Sequence, residues 1–293
     1  MNIHDLASAI GIHAGYLLNL IKNSDHFYKT YSHKKPSGQF RKIAAPNVEI
    51  KAIQRWILKN VLEKESIHEV ATGFIKDKSI KDNAQPHISR KYILCMDLKD
   101  FFNSITETLV LEVLSGIPSV SDIAQLIAKL CTYKGQLPQG GVTSPCLSNI
   151  IFRKYDEKIS DFVGKRNIFY TRYADDLTFS SDGWKLLEEV ENQLPHILND
   201  SVFSINTEKT RYMRGKNRKI ITGLIINSGR LTVGRSRKKL VRSAIFNTIV
   251  KRQDPSLNEE INGLISFIEH IEPGYRETID SYINSLNIKF NRQ

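Results

Sequence analysis

The tightest constraint on the fold is a pair of adjacent carboxylates set between two strand-like runs. Ile168-Phe169-Tyr170-Thr171-Arg172-Tyr173 and Leu177-Thr178-Phe179-Ser180 are dominated by aromatic and β-branched residues, with only Ala174-Asp175-Asp176 between them. The segment therefore reads as a hairpin carrying two acids at its tip. A third acid, Asp97, ends a separate apolar run, Tyr92-Ile93-Leu94-Cys95-Met96-Asp97, the pattern of a buried strand that delivers a carboxylate at its end. An Asp pair alone is ordinary in a solvated turn; the apolar flanks set this one apart. Carboxylates gathered in one place repel unless protons or metal ions offset them.

Two divalent cations roughly 3.5–4 Å apart would supply that offset, one activating a hydroxyl nucleophile and the other stabilising phosphates and a departing pyrophosphate. Hard oxygen donors suit magnesium, which keeps water and substrate-phosphate ligands and so needs no complete protein cage. The three cysteines, Cys95, Cys131 and Cys146, form no C-x-x-C pair; they read as reduced structural thiols of a cytoplasmic protein and give no zinc site. No stretch approaches the roughly 18 apolar residues of a membrane span. Met1-Asn2-Ile3-His4-Asp5 opens no leader-like pattern, so neither a membrane nor a secreted product is expected.

Charge points to an anionic polymer as partner. Residues 208–252 hold 14 Lys or Arg and one acid, against a net +11 for the whole chain, so the positive field is concentrated in one C-terminal segment. Elsewhere helices and strands mix. Residues 6–21 read as one or two short helices broken near Gly11, and 49–62 as an amphipathic helix with Ile50, Ile53, Ile57 and Val61 on one face. Residues 33–46 read as two basic strands around a Pro-Ser-Gly turn, 71–90 as mainly loop, and 220–226 as one β-like run. Ser104, with Glu107 three residues later, reads as a helix cap. Ser144-Pro145 starts a helix to about residue 159, residues 186–197 form another, and the tail is helical. The fold class is α+β, a catalytic core followed by a small helical domain.

In this setting the chain resembles a reverse transcriptase, more narrowly one of the bacterial retron group within the group II intron-like family. Asp97-Leu98-Lys99-Asp100-Phe101-Phe102 resembles the first catalytic motif, Leu137-Pro138-Gln139-Gly140 the substrate-binding motif, Tyr173-Ala174-Asp175-Asp176 the second catalytic motif, and Asn206-Thr207-Glu208-Lys209-Thr210 the downstream lysine motif. They occur in family order across residues 30–230. Asn83-Ala84-Gln85-Pro86-His87 matches the retron Asn-Ala-x-x-His signature, and Ile221-Thr222-Gly223 is similar to its Val-Thr-Gly signature with one β-branched exchange.

The resemblance implies a right-hand polymerase. Residues 1–30 would be an N-terminal helical extension, 31–91 and 109–139 the two parts of the fingers, 92–108 and 140–228 the two parts of an antiparallel-sheet palm, and 229–293 a basic helical thumb. It implies metal binding by Asp97, Asp175, Asp176 and the Leu98 carbonyl, with Mg2+ as the cofactor, two ions in the catalytic complex, and Mn2+ as a substitute in vitro. Arg41, helped by Lys42 or Lys35, would bind the triphosphate, since Arg offers a directional fork of donors. Gln139 and Gly140 would position the nucleotide. Phe102 would be the steric gate against a 2′-hydroxyl, and Lys209 a proton donor to pyrophosphate or an electrostatic aid. Without the motifs, Phe102 is an ordinary core aromatic, the Gly-rich turn merely a turn, and Asp100 a local cap.

For RNA contact or priming the resemblance implies Asn83, His87, Thr222 and Gly223, with Arg235, Arg237, Lys238, Lys239 and Arg242 on a thumb platform. Read without it, Asn83 is a turn cap and His87 a hydrogen-bonding histidine. The implied partners are a cognate structured non-coding RNA carrying the template, the DNA product, deoxynucleoside triphosphates, and a separate effector or toxin protein in phage defence. A guanosine 2′-hydroxyl would prime, giving branched RNA-DNA. The competing readings are an intron-encoded or other defence-associated bacterial reverse transcriptase, and a non-catalytic RNA-binding protein on a polymerase scaffold.

Overall fold

The computed structural model describes residues 1–34, 38, 40–215, 218–227, 229–251 and 257–290. It opens with α1 (Ile3–Ile10) and α2 (Ala14–Lys22), separated at Gly11, whose φ of 81° terminates α1 in the left-handed region. The antiparallel strands β1 (Tyr28–Lys34) and β2 (Phe40–Pro46) follow. Next is α3 (Val48–Asn60), started by Asn47, whose side chain accepts from the Ile50 amide, and burying Ile50, Ile53 and Ile57 as their spacing predicts. Residues 71–90 are loop apart from α4 (Ile80–Ala84) and one 3₁₀ turn.

Next come β3 (Tyr92–Asp97), α5 (Phe101–Ser104), α6 (Glu107–Ser115), α7 (Ala124–Cys131) and the long α8 (Ser144–Gly164). The hairpin strands β4 (Phe169–Tyr173) and β5 (Asp176–Ser181) lead to α9 (Trp184–Ile197) and β6 (Arg211–Arg214). Ser104 does not cap a helix as the sequence suggests; it closes α5. Thr106 caps α6 instead, its hydroxyl accepting from the Leu109 amide at 3.3 Å.

Four antiparallel strands in the order β4-β5-β3-β6 form the central sheet. Both of its faces are covered, and β3 shows how. Leu94 and Met96 point into a large core with α1–α3 and α6–α9, while Ile93 and Cys95 point into a second core, the alternation a strand imposes. That second core is completed by a three-stranded sheet of β7 (Lys219–Ile221), β8 (Leu224–Asn227) and β9 (Arg230–Thr232), and by α10 (Arg235–Phe246), α11 (Glu259–Ile271) and α12 (Tyr275–Phe290).

The 220–226 run is thus two strands rather than one. Thr222 and Gly223 turn between them, with φ of 45° and 82°, the doubly positive geometry of a tight hairpin. The boundary expected at residue 228 falls inside this small sheet, because β8 and β9 pair across it. Cys95, Cys131 and Cys146 are buried free thiols.

Candidate active site

Strand register assembles the acids. Asp97 is the cross-strand partner of Asp176 at the ends of β3 and β5, and the Leu98 amide donates to the Asp175 carbonyl at 3.0 Å. Ala174 and Asp175 are the two-residue tip between the paired Tyr173 and Asp176, and Ala174 holds φ at 56°. A left-handed residue with a Cβ costs about 1–2 kcal/mol, so other contacts must hold it.

Those contacts centre on Arg172, which lies on β4 with its side chain fully buried. Its guanidinium grips Asp156 of α8 through Nε to Oδ1 at 2.9 Å and Nη2 to Oδ2 at 2.6 Å. Nη1 then donates to Asn149 Oδ1 at 2.9 Å and to the Ala174 carbonyl at 3.1 Å. On the other side, a Cβ on Gly73 would lie 2.6 Å from the Ala174 nitrogen, so glycine is required for this approach. Neither Arg172 nor Gly73 stands out in the sequence as a site residue. The signal lay in Arg172 itself, a charge in an otherwise apolar strand, which demands a buried partner.

Electrostatics mark Asp175 and Asp176 as short of counter-charge. The Asp175 carboxyl is pushed up, first by desolvation and then by Asp97. Asp176, although open to solvent on one side, is pushed up to about 6 by desolvation, then by Asp175 and Asp97. Lys209 meets Asp97, Nζ to Oδ1 at 2.6 Å, and Asn206 holds the same residue through its amide to the Asp97 carbonyl at 2.7 Å. Among the described residues no three His, Cys, Asp or Glu side chains close into a ready metal cage. Acid oxygens lacking counter-charge nevertheless fit a divalent cation whose coordination stays open to water and phosphate. The Leu98 carbonyl accepts no backbone bond among the described residues and remains a further oxygen donor.

The nucleotide-side residues converge as well. The Ala44 amide of β2 donates to the Gln139 carbonyl at 2.9 Å, and a Cβ on Gly140, at φ 123°, would lie 2.8 Å from the Ala44 oxygen. The basic hairpin is therefore fastened to the Gln139 turn, with Arg41 and Lys42 exposed on it and Arg41 close enough to lower the Asp175 carboxyl. Gln139 Oε1 is buried with no partner among the described residues, an acceptor left for a ligand. Lys35 lies outside the described residues. Phe102 is half-buried with its ring 5.5 Å from that of Phe101, and Asp100, at φ 48°, makes no side-chain cap.

Asn83 and His87 correct an expectation, because both are fully buried and neither is placed to touch RNA. Thr171 Oγ1 donates to the Asn83 carbonyl at 3.0 Å and so accepts from His87 Nε2 at 2.8 Å, leaving Nδ1 to accept from Ser180 at 2.6 Å. Burial, followed by Arg90, pushes the imidazole down to about 3. The Asn-Ala-x-x-His segment thus braces β4 and β5 from behind. Thr222 donates to the Ile80 carbonyl of α4 at 3.4 Å, tying the second signature to the same segment.

The basic segment is divided. Arg235, Lys239 and Arg242 are exposed, the last with its guanidinium 5.7 Å from the Tyr282 ring. Arg237 lies over Phe267, and Lys238 is paired with Glu272. Between β7–β9, α4 and the start of α10 lies a cleft of about 1490 Å³, lined by Lys81, Arg218, Arg230, Arg235 and Lys238 among others.

Residues 33–226 match the sequence model of the family described as Reverse transcriptase (RNA-dependent DNA polymerase). The chain is 35% identical to the Retron Ec86 reverse transcriptase of Escherichia coli, over 99% of this chain and 91% of that protein. It is 30% identical to the Retron Mx65 reverse transcriptase of Myxococcus xanthus, over 94% and 69%. In fold it is similar to telomerase from Candida albicans, solved with a fragment of telomeric RNA: TM-score 0.51, 13% identity, 87% of this chain and 56% of that one. A foamy viral protease-reverse transcriptase solved with double-stranded DNA gives TM-score 0.50 and 17% identity, over 89% of this chain and 39% of that one. The chain spans about half the length of these solved proteins or less. Among the described residues no helix is long and apolar enough to cross a membrane.

Proposed function

Since the chain belongs to the reverse transcriptase family, and within it to the bacterial retron reverse transcriptases, we propose that this RNA-directed DNA polymerase copies a cognate structured non-coding RNA from an internal guanosine 2′-hydroxyl. The product would be branched RNA-DNA. The observation that carries the active-site reading is the register pairing of Asp97 with Asp176 beside Asp175, three acids whose mutual repulsion asks for a divalent cation. Members of this family use such ions.

Asp97, Asp175, Asp176 and the Leu98 carbonyl would hold Mg2+, two ions in the catalytic complex, with Mn2+ as a substitute in vitro. Bound there, the cations would activate the primer hydroxyl and stabilise the departing pyrophosphate. The protein's own residues do the rest. Arg41 and Lys42, on the hairpin fastened to Gln139, neutralise the triphosphate of the incoming deoxynucleotide. Gln139 offers its unpartnered oxygen to the nucleotide, and Gly140 permits close approach. Phe102 blocks a 2′-hydroxyl. Lys209, once released from Asp97, supplies positive charge or a proton near the pyrophosphate.

The basic cleft beside α10 supports binding of folded RNA through phosphates, with Thr222 and Gly223, at the turn between β7 and β8, as further candidates for RNA contact. We propose in addition, on the retron kinship, a role in phage defence with a separate effector or toxin protein. To test the reading, the protein would be purified with its cellular nucleic acid, supplied with Mg2+ and deoxynucleotides, and the products sequenced by a branch-sensitive method. Branched products support the proposal. Linear products extended from an ordinary 3′ end would remove the priming proposal and leave the polymerase assignment standing.

A further inference from the structure

Phe74 is a large aromatic that neither core explains. It is 48% exposed, is absent from both hydrophobic clusters, and holds φ at 62°, where a bulky residue is a backbone outlier. Its ring neighbours are informative. The Phe74 ring lies 6.1 Å from Phe102, edge to face at 61°, and 6.2 Å from Tyr173. It therefore bridges the candidate gate and the catalytic hairpin.

The backbone around it is fixed from several sides. The Thr72 amide donates to the Arg172 carbonyl at 2.8 Å, and Asn149 Nδ2 donates to the Gly73 carbonyl at 2.9 Å. Lys78 Nζ reaches the Glu69 and Ala71 carbonyls at 2.7 and 3.0 Å. A surface loop free to relax would not keep an aromatic residue in the left-handed region. This one is tied to the same Arg172 that steadies the acids.

We propose that Phe74 is a positioning residue for sugar selection. Its ring buttresses Phe102, keeps the gate ring from rotating off the nucleotide sugar, and so sets the discrimination against ribonucleotides. This rests on the gate reading of Phe102.

The test is single-nucleotide extension of a DNA primer annealed to an RNA template, with kcat/KM measured for a deoxynucleotide and its matched ribonucleotide. Wild type, Phe74→Ala, Phe74→Leu, Phe74→Tyr, Phe102→Ala and the Phe74/Phe102 double alanine variant are compared. Removing one edge-to-face ring pair should raise the ribonucleotide share about two- to tenfold in Phe74→Ala. Phe74→Tyr, which keeps the ring, should restore discrimination. In the Phe102→Ala background, Phe74→Ala should add nothing, because the residue acts through the gate. Equal losses for both sugars, or additive effects in the double variant, would overturn the proposal while the gate stands. An unchanged ratio in Phe102→Ala would remove the gate reading and this inference together. Should Phe74→Ala fail to fold, Phe74→Leu keeps apolar bulk without the ring and decides the question by the same ratio.

Discussion

Arg172 and Asp156 form a doubly hydrogen-bonded ion pair in which neither side chain is exposed, and the same guanidinium holds the carbonyl of Ala174 at the tip of the catalytic hairpin. Removing one partner of a buried pair strands the other charge. Asp156→Ala should therefore cost about 3–5 kcal/mol in chemical denaturation. Arg172→Lys keeps the charge but loses the fork, so polymerase activity should fall by a larger factor than the folding equilibrium constant. A loss below about 1 kcal/mol in Asp156→Ala, the range of exposed pairs, would show that the pair does not hold the tip.

His87 should shape the acid limb of stability. Its folded pKa is pushed down to about 3 from an ordinary 6.5, so the unfolded chain binds the proton first. Its contribution is then present above 6.5 and is lost as pH falls toward 3. His87→Asn, which cannot take up that proton, should flatten the fall in stability between those values. An unaltered stability-pH profile would mean that the buried imidazole is not held neutral. Separately, His87→Ala leaves the Ser180 and Thr171 hydroxyls without their partner and should cost about 1–3 kcal/mol.

Asp175→Asn keeps the shape of the tip and removes a charge. Extension should slow by about 100-fold or more, the scale on which one preorganised electrostatic group acts, with RNA binding unchanged. Undiminished extension at matched protein and RNA would contradict a metal-holding role.

Among the basic residues, Arg235 and Lys239 should dominate RNA binding. Lys238 is engaged with Glu272, and Arg237 lies against Phe267. Neutralising Arg235 and Lys239 together should weaken binding and reduce the slope of log K against log salt by about 0.7–0.9 for each phosphate no longer neutralised. Lys238→Ala should instead lower thermal stability, because Glu272 also holds the Thr232 hydroxyl and the Val233 amide. An unchanged salt slope would make these charges an ordinary solvated face.

The sequence carried the site further than its supports. Asp97, Asp175 and Asp176 were readable because strand periodicity and a sharp change from apolar to acidic survive without any tertiary knowledge. The basic hairpin and the Gln139 turn were readable too, as turn chemistry is local. The fastening of one to the other, Ala44 to Gln139, joins residues nearly a hundred positions apart and leaves no local trace. Asn83 and His87 illustrate the same gap. A histidine in a polar, Pro-containing segment gives no sign of burial, and only the packing of α4 and the 3₁₀ turn after it against β4, with His87 reaching Ser180 of β5, turns it into a brace. Ile220 to Ile226 looked continuous because Thr222 is β-branched; Gly223 alone hinted at the turn.

The three thiols bear on how motion in this molecule can be watched. Cys95, Cys131 and Cys146 are all buried, and desolvation pushes the last two up to about 12, so little reactive thiolate is presented to solvent. A maleimide fluorophore should therefore find a cysteine introduced at exposed Lys239 or Phe40 without prior removal of the native ones. Donor and acceptor dyes at those two places would turn the separation of α10 and β2 into an optical signal during synthesis.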